Sequence, residues 1–166
     1  MPELSKPDCH SEVLSKFRLF AGFKDDELDT LLSLSDFESY SAGQTIVSEG
    51  DPGLCMYVIL RGSVEVAVRS PANEPIPLAE LGPGDFFGEV ALVDDGLRSA
   101  TVVATGETHV LRITRMVLGV MAGVQPAGAI HLLAAIGRSL VKRLRVGNQK
   151  YLDLILLGHK ESSSAG

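Results

Sequence analysis

The residues whose types and spacing bear most directly on chemistry are Phe87-Gly88-Glu89-Val90-Ala91-Leu92 and, shortly downstream, Arg98-Ser99. The glycine is placed to open a short helical turn, and the free N–H groups at the start of such a turn can face an anion. Arg98 adds a planar fork suited to phosphate, through charge-assisted bonds roughly twice as strong as neutral ones. Glu89 conflicts with that reading, because a carboxylate at the mouth of an anion site repels the anion. The conflict disappears if Glu89 accepts a hydrogen bond from a hydroxyl next to the phosphate, as a ribose 2′-OH would supply. One Glu for a sugar hydroxyl and one Arg for a phosphate describe a ribonucleotide. The same spacing also fits a surface Glu and a surface Arg flanking an ordinary loop, and spacing alone leaves both readings open.

Positioning such a turn takes a scaffold, and the chain changes character in the right places. The first forty residues read as helical, with Val13, Leu14, Phe17 and Phe20 at helical spacing over Glu12 to Phe20. A second helix starts at about Asp25, read as its N-cap, and carries Leu28, Leu31 and Leu32. From Phe37 to Ile113 short apolar runs alternate with glycine and proline. Met56 to Leu60, Ile76 to Leu81, Ala100 to Ala104 and His109 to Ile113 read as strands. Val64, Val66 and Val68 recur at every second position, the period of a half-buried strand, and Arg61-Gly62-Ser63 reads as a hairpin turn. Gly43, Gly50, Gly53, Gly62, Gly82 and Gly84 read as tight corners. Many short strands between turn signals predict a mainly β architecture with flanking helices, a jelly roll.

After Arg115 the helical signal returns. Met116 to Ile136 is uncharged but broken by glycines and Pro126, so it reads as a buried turn leading into a helix rather than a membrane span. Pro126 is placed as the first residue of a long helix. Leu133, Ile136, Leu140, Leu144, Gly147, Tyr151 and Leu154 form an a/d-like stripe suited to a partner helix. The domain reading is an N-terminal tail over 1–10, a β-roll with flanking helices over 11–125, a helix of the same domain over 126–157, and a disordered tail over 158–166.

Several separated segments now agree on one family. Ser41-Ala42-Gly43-Gln44-Thr45-Ile46, Glu49-Gly50-Asp51, Met56 through Val64, and Leu81 through Glu89 resemble, in order and spacing, the cyclic-nucleotide-binding domains. These include bacterial catabolite activator proteins, regulatory subunits of cAMP-dependent kinase and cyclic-nucleotide-gated channels. The segment from Phe87 to Ser99 is similar to their phosphate-binding cassette. The resemblance covers roughly residues 19–157. It implies Glu89 on the ribose 2′-OH and Arg98 on the exocyclic phosphate oxygens. Gly88, Ala91 and Ser99 would supply donors to phosphate and sugar, and Val90 sits in the same turn. In the activators a Thr-Ser pair on the long helix reaches the purine. Here Gly147 and Asn148 fall at those positions, so Asn148 is the remaining candidate for the base. Gly147 offers no side chain, and the hydroxyl of Ser99 also occurs in relatives that favour cGMP, so cAMP and cGMP both stay open.

Composition narrows the alternatives. Fifteen Lys and Arg against 21 Asp and Glu leave a net charge of −6, so the overall field does not favour nucleic acid. Relatives that act on DNA append a helix-turn-helix, whereas this chain ends in Ser162-Ser163-Ser164-Ala165-Gly166. Arg138, Lys142, Arg143, Arg145 and Lys150 read as a solvated helix face. A metal enzyme on the same barrel needs clustered ligands, and His10, His109, His131 and His159 are isolated in sequence. Cys9 and Cys55 form no Cys-x-x-Cys pair and read as free thiols of a reducing compartment. The start lacks the apolar stretch of a signal peptide. The expectation is a non-enzymatic cytoplasmic sensor of cAMP or cGMP, without cofactor or metal, membrane contact or direct nucleic-acid binding. It relays through its own homodimer or an unknown downstream protein. The alternative is a nucleotide-insensitive interaction module of the same fold.

Overall fold

The structure is a computed structural model that describes residues 11–163, with side chains as far as residue 159. The N-terminal tail, with Cys9 and His10, lies outside the described residues. Two compact units are present, one ending at Leu132 and the other beginning at Leu133.

The first unit opens with α1 (Ser11–Ser15), a 3-10 turn (Arg18–Phe20) and α2 (Asp25–Leu34). The single helix expected up to Phe20 is therefore broken, and Phe17 takes an extended conformation between the two pieces. The N-cap of α2 is Lys24 rather than Asp25. The reason is Glu27, whose carboxylate accepts the Lys24 N–H at 3.0 Å and satisfies a donor at the helix start.

Eight strands follow: β1 (Asp36–Tyr40), β2 (Thr45–Val47), β3 (Cys55–Arg61), β4 (Val64–Arg69), β5 (Pro75–Leu81), β6 (Phe86–Phe87), β7 (Thr101–Ala104) and β8 (Thr108–Thr114). They form two four-stranded antiparallel sheets, ordered β1-β8-β3-β6 and β2-β7-β4-β5. This is the jelly roll expected. Cys55, Tyr57, Ile59, Val64, Phe87, Val102 and Val110 meet in one buried cluster drawn from both sheets. Five consecutive residues of β3 are buried. Alternation sends Cys55, Tyr57 and Ile59 into that cluster and Met56 and Val58 to the opposite face of the same strand.

The Gly62 corner differs from the expected hairpin. β3 and β4 belong to different sheets, so the chain crosses from one layer to the other at Gly62. Gly62 has φ +87°, and a Cβ there would lie 2.3 Å from the Glu107 carbonyl oxygen, on the turn between β7 and β8. The two crossings are fastened together where Thr108 Oγ1 donates to Ser63 O at 3.0 Å. Gly43, Gly50 and Gly84 are also left-handed, but Gly53 and Gly82 are not.

Residues 115–124 form a true helix, α3 (Arg115–Val124), not a buried turn. Thr114 caps it by accepting the Val117 N–H at 3.2 Å, and Val117 and Met121 are buried. α4 (Pro126–Ser163) opens at the proline as expected, and its first turns complete the first unit. The second unit is the rest of α4, in which every residue from Val141 to His159 is exposed. The helix continues six residues past 157 instead of yielding to a disordered tail there, because nothing from Gly158 to Ser163 forbids helical geometry. Residues 164–166 lie outside the described residues. No described helix is long and apolar enough to cross a membrane.

Candidate functional site

The site begins where β6 ends. β6 pairs with β3, Tyr57 opposite Phe87, and the two rings stack with centroids 5.2 Å apart. Gly88 then takes a left-handed conformation, φ +74°, that reverses the chain into a 3-10 turn over Glu89–Leu92. The Ala91 N–H closes the turn on Gly88 O at 3.2 Å. Its first N–H groups have no partner further back in the turn, the arrangement that receives an anion. Glu89 heads the turn and is only 1 % exposed.

Arg98 reaches this mouth from the other side. Its backbone is stitched to the loop after β2: Arg98 N–H donates to Asp51 O at 2.7 Å, and Gly50 N–H donates to Arg98 O at 2.9 Å. Its guanidinium lies over the Tyr57 ring, 6.0 Å from the centroid, within cation–π range. Burial first, and then a hydrogen bond with Cys55, push the Tyr57 phenol up to about 12, so the ring beneath the guanidinium stays neutral. Arg98 Nη1 donates to Gly88 O at 3.3 Å and Nη2 to Cys55 Sγ at 3.5 Å. Both bonds are long.

Two glycines make that placement possible. A Cβ on Gly88 would lie 2.5 Å from Arg98 Nη1. A Cβ on Gly53 would lie 3.0 Å from Arg98 Nε and 3.1 Å from Ala91 Cβ. Gly53 was expected as a corner, yet its backbone is ordinary. What it supplies is space for the arginine.

Of the residues singled out from sequence, Gly88, Glu89, Ala91 and Arg98 come together, with Ala91 buried inside the turn. Val90 is 43 % exposed on the same turn, and Ser99 is exposed beside Arg98. Asn148 belongs to the second unit, as an exposed helical residue not among those brought together here. Sequence reasoning missed Gly53, Cys55 and Tyr57 as neighbours of Arg98. The alternation in β3 carried a usable signal, because it puts Cys55 and Tyr57 on one face of a strand.

Chemically, the arrangement is an N–H end of a turn, a guanidinium bonded to a carbonyl and a cysteine sulfur, and the buried Glu89 at the head of the same turn. The first two attract an anion, and the third accepts from a hydroxyl attached to it. Among the described residues, no three His, Cys, Asp or Glu side chains gather closely enough to hold a metal ion.

Residues 37–121, spanning β1 to α3, match the family model of the cyclic nucleotide-binding domain, and the chain belongs to that family. It is 35 % identical over 144 residues to a cyclic AMP receptor protein of Thermus thermophilus, covering 87 % of this chain and 63 % of that protein's length. A cyclic nucleotide-binding domain from Methylobacillus flagellatus superposes with a TM-score of 0.74 at 28 % identity, covering 85 % of this chain and 79 % of that one. The N-terminal domain of a transcriptional regulator from Streptomyces coelicolor gives a TM-score of 0.71 at 34 % identity, covering 79 % of this chain and 94 % of that domain.

Proposed function

We propose that this chain is a non-catalytic sensor of a cyclic mononucleotide, cAMP or cGMP, whose phosphate sits between the Glu89–Leu92 turn and Arg98. The observation that carries this reading is the state of Arg98. A partly buried guanidinium that makes long bonds to a carbonyl and a thiol, beside the N–H end of a turn, is placed for a stronger, charge-assisted partner. A cyclic phosphate supplies it, and the buried Glu89 beside it selects a ligand that carries a ribose hydroxyl. The likeness to a cyclic AMP receptor protein supports testing cAMP first, beside cGMP. Ser99 and Asn148 are the groups that set the preference between bases.

Relay of the signal runs through α4. Leu144, Tyr151, Leu154 and Leu157 are each more than half exposed on α4. Soluble proteins rarely leave such a stripe in water, and a second copy of the same helix covers it. A homodimer through α4 is therefore part of the proposed function, with a downstream protein as the recipient of any change in its packing.

Calorimetric titration of the chain with cAMP, cGMP and cyclic di-GMP tests the reading. One of the two mononucleotides should bind, and Arg98→Leu should remove about 2–5 kcal/mol, several tens-fold or more in affinity, at unchanged far-UV circular dichroism. If neither mononucleotide binds, the chain is a nucleotide-insensitive interaction module of the same fold.

A further inference from the structure

Arg115, the first residue of α3, has no part in the site described above, yet its guanidinium is spent entirely on that site's rear. Nε and Nη2 donate to Ala91 O at 3.2 and 2.6 Å, and Nη2 also donates to Asp94 O at 2.9 Å. Nη1 is paired with the carboxylate of Asp95. Through its backbone, Arg115 N–H donates to Leu54 O at 3.1 Å, just before β3. One side chain thus gathers the carbonyl end of the Glu89–Leu92 turn and the acidic loop behind it, and fixes both to the junction of β8 and α3.

The segment needs such a hold. Residues 93–97 are all exposed, and the turn itself is a single 3-10 turn closed by few backbone bonds. The carbonyls that end a helical turn have no partner within it, and a cation there is favourable for the same reason that an anion is favourable at the other end. The Arg115 bond and charge also hold the Asp95 carboxyl below the ordinary carboxylate value.

We infer that Arg115 is a positioning residue, which orders residues 88–97 before any ligand arrives so that the N–H end of the turn and Glu89 are already presented. The consequence for affinity rests on the reading that this segment binds a cyclic nucleotide. The ordering itself does not.

Hydrogen–deuterium exchange on the ligand-free chain, with titration of cAMP and cGMP, tests both parts. In Arg115→Gln, amides within 88–97 should exchange on the order of tenfold faster, while β3 and β8 keep their protection. Nucleotide affinity should fall on the order of tenfold or more. Arg115→Lys, which restores the charge but not the fork, should recover only part of each effect. Exchange within 88–97 that is unchanged, or that rises equally in β3 and β8, overturns the inference and leaves Arg115 a general structural contact. Faster exchange with unaltered affinity overturns its positioning role. A wild type that binds neither nucleotide overturns the reading of the site, and the exchange comparison then decides the ordering alone.

Discussion

His131 Nδ1 lies 3.0 Å from Glu27 Oε2, a hydrogen-bonding contact that joins α2 to the opening turns of α4 inside the first unit. Glu27 is 2 % exposed and also accepts the Lys24 N–H. Burial pushes its carboxyl up, but the Lys24 bond and the bond and charge of His131 together pull it lower, below the ordinary 4.5, with Asp26 opposing. A carboxyl lowered in the folded state stabilises fully above its unfolded value and stops doing so as pH falls through the folded one. Glu27→Gln should therefore cost about 1.5–3 kcal/mol at pH 7. In urea melts from pH 7 to pH 3 the gap between wild type and variant should narrow only below about pH 4.5. A gap that stays constant across the whole range would show the pair to be without linkage.

Gly53→Ala isolates the space left for Arg98. The new methyl would lie 3.0 Å from Arg98 Nε and 3.1 Å from Ala91 Cβ, closer than ordinary contact, and the arginine is the more flexible of the two neighbours. The expected result is a thermal midpoint within a few degrees of wild type and nucleotide affinity lower by roughly tenfold, about 1.4 kcal/mol. Calorimetry beside thermal melts separates the two. Equal loss in both would mean that the methyl disturbs the barrel rather than the arginine.

For Glu89, a double-mutant cycle pairs Glu89→Ala with a 2′-deoxy ligand. If the carboxylate accepts from the 2′-OH, either change alone weakens binding and the combination adds little more. Full additivity would place the hydroxyl elsewhere.

Leu144→Glu tests the α4 seam at a position that is 64 % exposed in the chain alone. Sedimentation should shift from dimer to monomer, with nucleotide binding weakened but retained. Leu140→Glu, one turn earlier, should act in the same direction. A wild type that sediments as a monomer at high concentration, with and without ligand, would dismiss the seam.

At Gly62 the expected effect is on stability alone. Gly62→Ala meets both a left-handed backbone and the Glu107 carbonyl at 2.3 Å, so a loss of at least about 2–3 kcal/mol should appear in denaturant melts.

Much of this was legible in the sequence, because the signals were local. Alternation of Val64, Val66 and Val68 identifies β4, Pro126 marks the start of α4, and Gly88 opens a turn. What sequence reading lost depended on partners far along the chain. Arg61-Gly62-Ser63 looks the same whether the next strand pairs with the last or leaves for another sheet, and only pairing of β3 with β8 decides it. The uncharged run from Met116, broken by Gly119 and Gly123, reads as a buried turn leading into a helix, yet residues 115–124 are helical with Val117 and Met121 buried. Gly53 and Arg115 carry no local signature, since each acts on atoms dozens of residues away.

The strand pairing also dictates when this molecule can fold. Within each sheet the central partner of the early strands arrives late: Asp36 of β1 waits for Arg112, 76 residues on, and β2 waits for β7. Only β4 and β5 can pair as neighbours in the chain. A nascent chain that has not yet emerged to Thr114 cannot close the β1-β8-β3-β6 layer, and must carry β3, apolar on both faces, without its central companion. Such distant pairing places the barrel among the slower folders, on the order of milliseconds to seconds. It also makes the interval before β8 arrives the period in which this chain is most open to self-association.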